Sequence, residues 1–162
     1  MKKMVKIDNK GLSLVELLIV VAILAVLGGV ALTGMSLLTS RPVDECAKKI
    51  QIALEGSRNT TMGKYSGYVE FTADSNGVFV QEYINGVANG DKIRIGQSGV
   101  SVTAATTTDS KTFDSTAYRV EFKRADGSLK APTDGPISFT VTNGSRTIIV
   151  TVDKMTGRVD LE

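Results

Sequence analysis

The chain has 162 residues and a formal net charge of +2, which is too small to indicate a nucleic-acid partner by itself. Its single cysteine, Cys46, excludes an intramolecular disulfide, and the absence of histidine removes the commonest general base and a structural zinc site. Composition does not exclude a calcium site built from oxygen ligands. The length predicts one compact domain with an appendage.

The first element along the chain is a basic segment followed by an uncharged apolar run. Four lysines precede the run: Lys2, Lys3, Lys6 and Lys10. No charged residue occurs from Leu17 to Ser40. At ~1.5 Å per helical residue, such a run is long enough to cross a hydrocarbon core of ~30 Å. The lysines predict that the N-terminus stays in the cytoplasm and that the chain after Arg41 lies outside it.

Two simpler interpretations of the apolar run are a secretory signal and an ordinary single-span anchor. Gly28-Gly29-Val30-Ala31 resembles the small-residue site at which a secretory signal is cleaved, although the run is longer than such signals usually are. Glu16 argues against both interpretations through its spacing from Gly11. A carboxylate is favoured at a helix N-terminus and costs little at the edge of a bilayer.

Gly11, the stretch Leu12-Ser13-Leu14-Val15-Glu16 and the apolar run resemble the leader and N-terminus of a type IV prepilin. The resemblance implies that prepilin peptidase cleaves after Gly11 and methylates the new N-terminal residue, Leu12. It also implies that Glu16 acts in filament assembly. Leu12 departs from the family pattern, because phenylalanine is usual at that position, and Thr33 stands near the place where many major pilins have a proline.

These features divide the chain into four segments. We expect a leader peptide over residues 1–11, a transmembrane and filament-core helix over 12–40, an amphipathic helix over 41–63 and a globular head over 64–162. Ser40 is the expected N-cap of the amphipathic helix, with Pro42 in its first turn. The apolar residues that recur there at helical spacing are Val43, Cys46, Ala47, Ile50, Ala53 and Leu54.

The remainder of the chain alternates apolar and polar residues, as antiparallel strands do. The predicted strands are GYVEFTA, GVFVQEYI, DKIRIG, GVSVTA, AYRVEFKR, PISFTVT, RTIIVTV and GRVDL. Asn76-Gly77 and Asn143-Gly144 mark hairpin turns. The polar stretch 106–116 is predicted to be an exposed loop. The predicted fold class is α+β, a type IV pilin-like fold in which a long N-terminal helix packs on one or two antiparallel sheets.

The head has a second resemblance, to the H-type minor pseudopilins of type II secretion and to FimT-like minor pilins. The stretches that carry it are AKKIQIALEGSRNTTM and ISFTVTNGSRTIIVTVDKMTGRV. It implies a structural subunit, a minor pilin or pseudopilin, of a type IV pilus or a type II secretion-like filament. The implied partners are prepilin peptidase, other pilin or pseudopilin subunits, an inner-membrane assembly platform and, before assembly, plasma-membrane lipid. The implied location is the plasma membrane, with the head outside the cytoplasm, and then a surface pilus or periplasmic pseudopilus.

A DNA-binding minor pilin of a DNA-uptake pilus is the alternative function. Some FimT-like proteins bind DNA through a Gly-Arg-x-Arg motif, and the matching stretch here, Gly157-Arg158-Val159-Asp160, ends in an aspartate that repels phosphate. Arg146, Lys154 and Arg158 are the candidate DNA contacts, but we do not expect a nucleic-acid partner. We also expect no enzyme and no cofactor, because the sequence has neither a metal-ligand cluster nor a phosphate-binding loop.

Overall fold

The computed structural model describes residues 14–63 and 65–162, except for the side chains of residues 27–40. The predicted leader peptide, with the cleavage site between Gly11 and Leu12, lies outside the described residues. The chain divides into two compact units, Met1–Leu38 and Thr39–Glu162.

Helix α1 comprises Leu14–Gly63 and contains Pro42. The expected N-cap at Ser40 is therefore wrong, because the helix runs through this residue. A side-chain cap is needed only where backbone N–H groups lack an intrahelical acceptor. In a continuous helix the carbonyl groups of the preceding turn serve as those acceptors. Pro42 has no N–H to donate, so it removes one bond from this ladder.

The second unit contains two five-stranded antiparallel sheets. The strands of the first sheet are β1 (Gly67–Asp74), β2 (Gly77–Ile84), β3 (Val87–Gln97), β6 (Tyr118–Phe122) and β7 (Leu129–Ala131), in the order β3-β2-β1-β6-β7. The strands of the second sheet are β4 (Ser101–Ala105), β5 (Ser110–Thr112), β8 (Ile137–Thr142), β9 (Thr147–Val152) and β10 (Val159–Leu161), in the order β10-β9-β8-β4-β5. One helix and these sheets confirm the predicted α+β class.

Both hairpins that the Asn-Gly pairs predicted are present, as β1–β2 and β8–β9. The loop predicted for residues 106–116 is wrong in part, because Ser110–Thr112 forms β5 and pairs with β4. Phe113, which follows β5, is buried and stacks on Phe71 with ring centroids 5.5 Å apart. That apolar anchor holds a polar segment against the sheet. The short strand β7 was not predicted, since three residues are too few to show an alternating pattern.

The core lies between one face of α1 and the two sheets. Among the described side chains, the helix contributes five fully buried apolar ones: Val43, Cys46, Ala47, Ile50 and Leu54. Phe71 of the first sheet meets Phe139 of the second in a tilted pair with ring centroids 5.7 Å apart. Fully burying a side chain of this size contributes about 1.5–3 kcal/mol. The helix and the sheets therefore share one continuous hydrophobic core.

The Cys46 thiol reports directly on whether this core is closed. Burial raises the pKa of Cys46 to about 12, although the nearby positive charge of Lys49 opposes the shift. The folded thiol therefore stays protonated at mildly alkaline pH, where an unfolded thiol of pKa 9.0 is already partly ionised. We expect a thiol-reactive aromatic disulfide to label the full chain in detergent slowly, and to label it rapidly after denaturant is added. Equal rates in the two conditions would contradict a closed core around Cys46.

Candidate functional site

The beginning of α1 is apolar on every side. All side chains from Leu14 to Val26 are exposed, and the large apolar ones range from 50% exposed at Val20 to 80% at Leu14. Glu16 is the only charged residue among them. A helix that has no polar face is stable only where lipid or other protein surrounds it. This segment therefore needs an apolar environment that the described part of its own unit does not supply.

Glu16 lies in the first turn of α1 and its side chain is exposed. The partial positive charge at the N-terminus of a helix favours a carboxylate at this position. Gly11 and Leu12, the other residues of the predicted processing and assembly site, lie outside the described residues. The geometry between Glu16 and the cleavage site thus stays a prediction.

Within the described residues, no helix is both long enough and apolar enough to cross a membrane. The membrane span predicted over 12–40 includes the side chains of 27–40, which lie outside the described part of the chain. The span therefore stays a prediction.

The two arginines that were candidate DNA contacts each face a carboxylate. Arg146, in the turn between β8 and β9, lies with Nη2 2.7 Å from Oδ1 of Asp44, and its Nε also donates to that oxygen at 3.1 Å. Arg158 lies with Nη2 2.7 Å from Oδ1 of Asp160. Each arginine thus has an intramolecular counter-charge that a phosphate group would have to displace.

The three basic candidates do not form a single patch. Lys154 donates from Nζ to the carbonyl oxygen of Thr133 at 2.8 Å. Arg146 precedes β9, whereas Lys154 and Arg158 follow it. A strand of six residues spans about 20 Å. The structure therefore places Arg146 at one end of β9 and the other two at the opposite end.

Arg58, which the sequence did not single out, joins the helix to both sheets. Its Nε donates to the carbonyl oxygen of Thr156 at 3.1 Å and to that of Gly127 at 3.3 Å. Thr156 lies in the turn between β9 and β10, and Gly127 lies in the turn between β6 and β7. These acceptors are 98 and 69 residues from Arg58 along the chain, so no local sequence pattern predicts the contact.

The two turns that Arg58 contacts have the same backbone geometry. Gly127 N donates to Lys123 O at 2.9 Å, and Gly157 N donates to Asp153 O at 2.8 Å. Both glycines have positive φ, 70° and 64°, the left-handed region that L-residues rarely adopt. A Cβ on Gly157 would overlap the carbonyl oxygen of Gly127. The close approach of the two turns therefore requires glycine at position 157.

Comparisons with known proteins give one match to a family model and one informative structural match. The prokaryotic N-terminal methylation motif matches residues 7–32. The crystal structure of the type IV minor pilin FimU from Pseudomonas aeruginosa (strain PAO1) is similar, with a TM-score of 0.52 and 15% sequence identity over 77% of this chain and 92% of that chain. At this identity the match shows the fold alone. No curated protein sequence matches the chain significantly.

The α+β fold of the described residues is thus the fold of a solved type IV minor pilin. Together, the prokaryotic N-terminal methylation motif and the minor-pilin fold support a type IV pilin-like structural subunit. The family implies processing by prepilin peptidase, association with other pilin subunits and a membrane-anchored, pilus-associated location in general.

Gly157→Ala tests the close approach of the two turns, with Gly144→Ala as the matched control. Gly144 also lies in a turn with positive φ, but a Cβ there meets no atom within 4 Å. Both variants incur the strain of a left-handed L-residue, about 1–2 kcal/mol. We expect Gly157→Ala to lower the free energy of unfolding by about 1–3 kcal/mol more than the control, because of overpacking. Denaturant unfolding of the full chain in detergent, followed by tyrosine fluorescence, measures the difference, and equal losses would contradict it.

Proposed function

We propose that this protein is a minor pilin or pseudopilin that assembles through its N-terminal helix into a type IV pilus or a type II secretion-like filament. The observation that carries the proposal is the helix segment Leu14–Val26, exposed and apolar on every side, inside the methylation motif over residues 7–32. Prepilin peptidase cleaves after Gly11 and methylates Leu12. The inner-membrane assembly platform then moves the subunit from the membrane into the filament.

The apolar segment explains why the subunit needs two successive environments. Each Å² of apolar surface removed from water contributes roughly 25 cal/mol. Plasma-membrane lipid covers the segment before assembly, and the N-terminal helices of neighbouring subunits cover it afterwards. In both states the head lies outside the cytoplasm, first at the membrane and then on a surface pilus or a periplasmic pseudopilus.

Glu16 sets the axial position of each subunit in the filament. Cleavage leaves an α-amino group on Leu12, and a group of this kind has a pKa of about 7.7–8.0 and is largely positive at neutral pH. A carboxylate buried alone among apolar helices is costly, and a nearby cation offsets that cost. Glu16 of an incoming subunit therefore pairs with the Leu12 amino group of its neighbour. Only one axial offset between the helices permits this pairing.

DNA binding is not part of the proposal, because no observation favours it. Asp44 and Asp160 already neutralise Arg146 and Arg158, and β9 separates the two arginines. The single cysteine cannot form the disulfide that closes the C-terminal loop of many Gram-negative major pilins. This fits a minor pilin, a pseudopilin or a Gram-positive type IV pilin better.

Gly11→Val tests the processing site. The peptidase recognises the glycine before the cleaved bond, so we expect the variant to keep its leader and to migrate as the longer precursor on gels. Ser13→Ala, just after the cleaved bond, is the control and is expected to be processed normally. Mass spectrometry of the N-terminus identifies the bond. Processing of Gly11→Val between residues 11 and 12 would refute the assignment.

Glu16→Val tests the role of the carboxylate in assembly. We expect the variant to be cleaved and retained in the membrane but to enter filaments at a small fraction of the wild-type amount. Glu45→Val removes an exposed glutamate further along α1 and is expected to assemble normally. Immunoblots of sheared filaments and membranes measure both pools. Normal incorporation of correctly cleaved Glu16→Val would overturn the proposed pairing.

A further inference from the structure

Four asparagines in the head precede a glycine: Asn76, Asn85, Asn89 and Asn143. Asparagine is among the thermolabile residues, and it loses its amide most readily where the next residue has no side chain to hinder the backbone nitrogen. That nitrogen must be able to reach Cγ of the asparagine. A hydrogen bond or close packing that holds either group therefore slows the reaction, so the four positions are not equivalent.

At Asn143-Gly144, hydrogen bonds hold both reacting groups. Gly144 N donates to Thr142 Oγ1 at 3.1 Å. Oδ1 of Asn143 accepts from the backbone nitrogens of Ser145 and Arg146, at 3.1 and 3.0 Å. The nucleophilic nitrogen and the side-chain amide must both leave these partners before they can meet. These bonds protect Asn143 from loss of its side-chain amide.

Packing holds the pair Asn76-Gly77. Gly77 is buried and lies between two strands, opposite Asp74 on one side and Gln97 on the other. A Cβ on Gly77 would overlap the backbone of Gly96. The nitrogen of Gly77 therefore cannot turn towards the asparagine side chain without separating the strands.

At Asn89, a hydrogen bond holds the side-chain NH₂ group, which is the group that leaves as ammonia. Its Nδ2 donates to Oε2 of Glu82 at 2.8 Å, across the β2–β3 ladder. The residue lies within β3, so the backbone movement that ring closure requires would disturb the strand pairing. We therefore expect Asn89 to lose its amide faster than Asn76 and Asn143 but more slowly than Asn85.

The pair Asn85-Gly86 forms the tip of the β2–β3 hairpin. Both residues are exposed, and both have positive φ, 52° and 80°, as in a two-residue type I′ turn. A Cβ on Gly86 would meet no atom within 4 Å. Among the backbone hydrogen bonds of the turns in the described residues, Gly86 N donates none. The nucleophilic nitrogen thus donates no backbone bond of this kind, and its residue is not packed against any other part of the described head.

Within the described residues, Asn85 is bonded only to Ser66: its backbone nitrogen donates to Ser66 O at 2.7 Å, and its side-chain amide accepts one bond. Ser66 N donates to Oδ1 of Asn85 at 3.1 Å. This single bond restrains the amide of Asn85 less than the two bonds that Oδ1 of Asn143 accepts restrain Asn143. Compared with Asn143-Gly144, this pair has one bond fewer on the side-chain oxygen, and among the described residues its glycine nitrogen donates no bond of the turn.

We propose that Asn85 is a site of spontaneous deamidation in the folded subunit. Gly86 N attacks Cγ of Asn85, the bond from Cγ to Nδ2 breaks, and the proton lost from Gly86 N leaves with the amide as ammonia. Water then opens the cyclic imide. Hydrolysis at Cγ gives aspartate, and hydrolysis at the backbone carbonyl gives isoaspartate, in which the main chain passes through Cγ.

The modification changes both the charge and the backbone of the hairpin tip. Either product adds one negative charge to a hairpin that already carries Glu82 and Asp91. Isoaspartate also lengthens the two-residue turn by one carbon atom, and the length of such a turn sets the register of its strands. The age of a subunit in a filament is thus recorded at one exposed position of its head.

The test is incubation of the full chain in detergent at mildly alkaline pH, with peptide mass spectrometry that assigns deamidation to each asparagine. In the folded protein we expect Asn85 to react at least about tenfold faster than Asn143 or Asn76, because each hydrogen bond that must break slows the reaction several-fold. In denaturant the four rates should converge. The inference is overturned if Asn143 or Asn76 reacts as fast as Asn85 in the folded protein, or if folded Asn85 stays intact while the unfolded chain reacts.

Thr142→Val provides a control inside the same molecule. Valine has a similar shape and lacks the oxygen that accepts from Gly144 N. We expect the rate at Asn143 to rise several-fold in the folded variant while the rate at Asn85 stays unchanged. No increase at Asn143 in a variant with wild-type circular dichroism would overturn the argument that bonding of the glycine nitrogen ranks the sites.

Discussion

The head depends on the burial of one face of α1 by both sheets at once. Cys46 and Ile50 are fully buried, and Phe71 and Phe139 meet from opposite sheets in the same core. A sheet that is polar on one face must bury the other against a neighbouring layer. The helix supplies part of that layer for each sheet. Any change that lifts α1 from this position therefore exposes the inner faces of both sheets together.

Polar contacts position the helix on that core at two places. Asp44, early in this part of α1, pairs with Arg146, and Arg58, later in the helix, bonds to the turns that contain Gly127 and Thr156. Exposed ion pairs contribute about 0–1 kcal/mol, so the Asp44 pair orients the helix more than it stabilises it. Arg146, a candidate DNA contact in the sequence, thus helps to position α1 in the structure.

The N-terminal motif was recognisable in the sequence because its residues are contiguous, whereas the roles of Gly11, Leu12 and Glu16 stay predictions. The spacing from Gly11 to Glu16 and the apolar run after it are local, and the family model matches this same region. The basic candidates were less predictable, because their environment depends on distant residues. Arg146 meets Asp44 across 102 positions of the chain, and Arg58 was missed because its acceptors are backbone carbonyl oxygens, which carry no sequence signal.

The sequence by itself determined the fold class, most strands and the amphipathic face of α1, because hydrophobic period and Asn-Gly turns are local properties of the chain. Only the tertiary structure decided that there are two sheets, that polar residues 110–112 form a strand, and which asparagine-glycine turn is open. The strand at 110–112 and the closed turn at Asn76-Gly77 rest on contacts between distant segments: Phe113 on Phe71, and β3 on Gly77. The closed turn at Asn143-Gly144 rests on side-chain geometry inside the hairpin, where Thr142 Oγ1 accepts from Gly144 N. The free energy of such contacts depends on which surfaces meet, and a pattern of neighbouring residues does not contain that information.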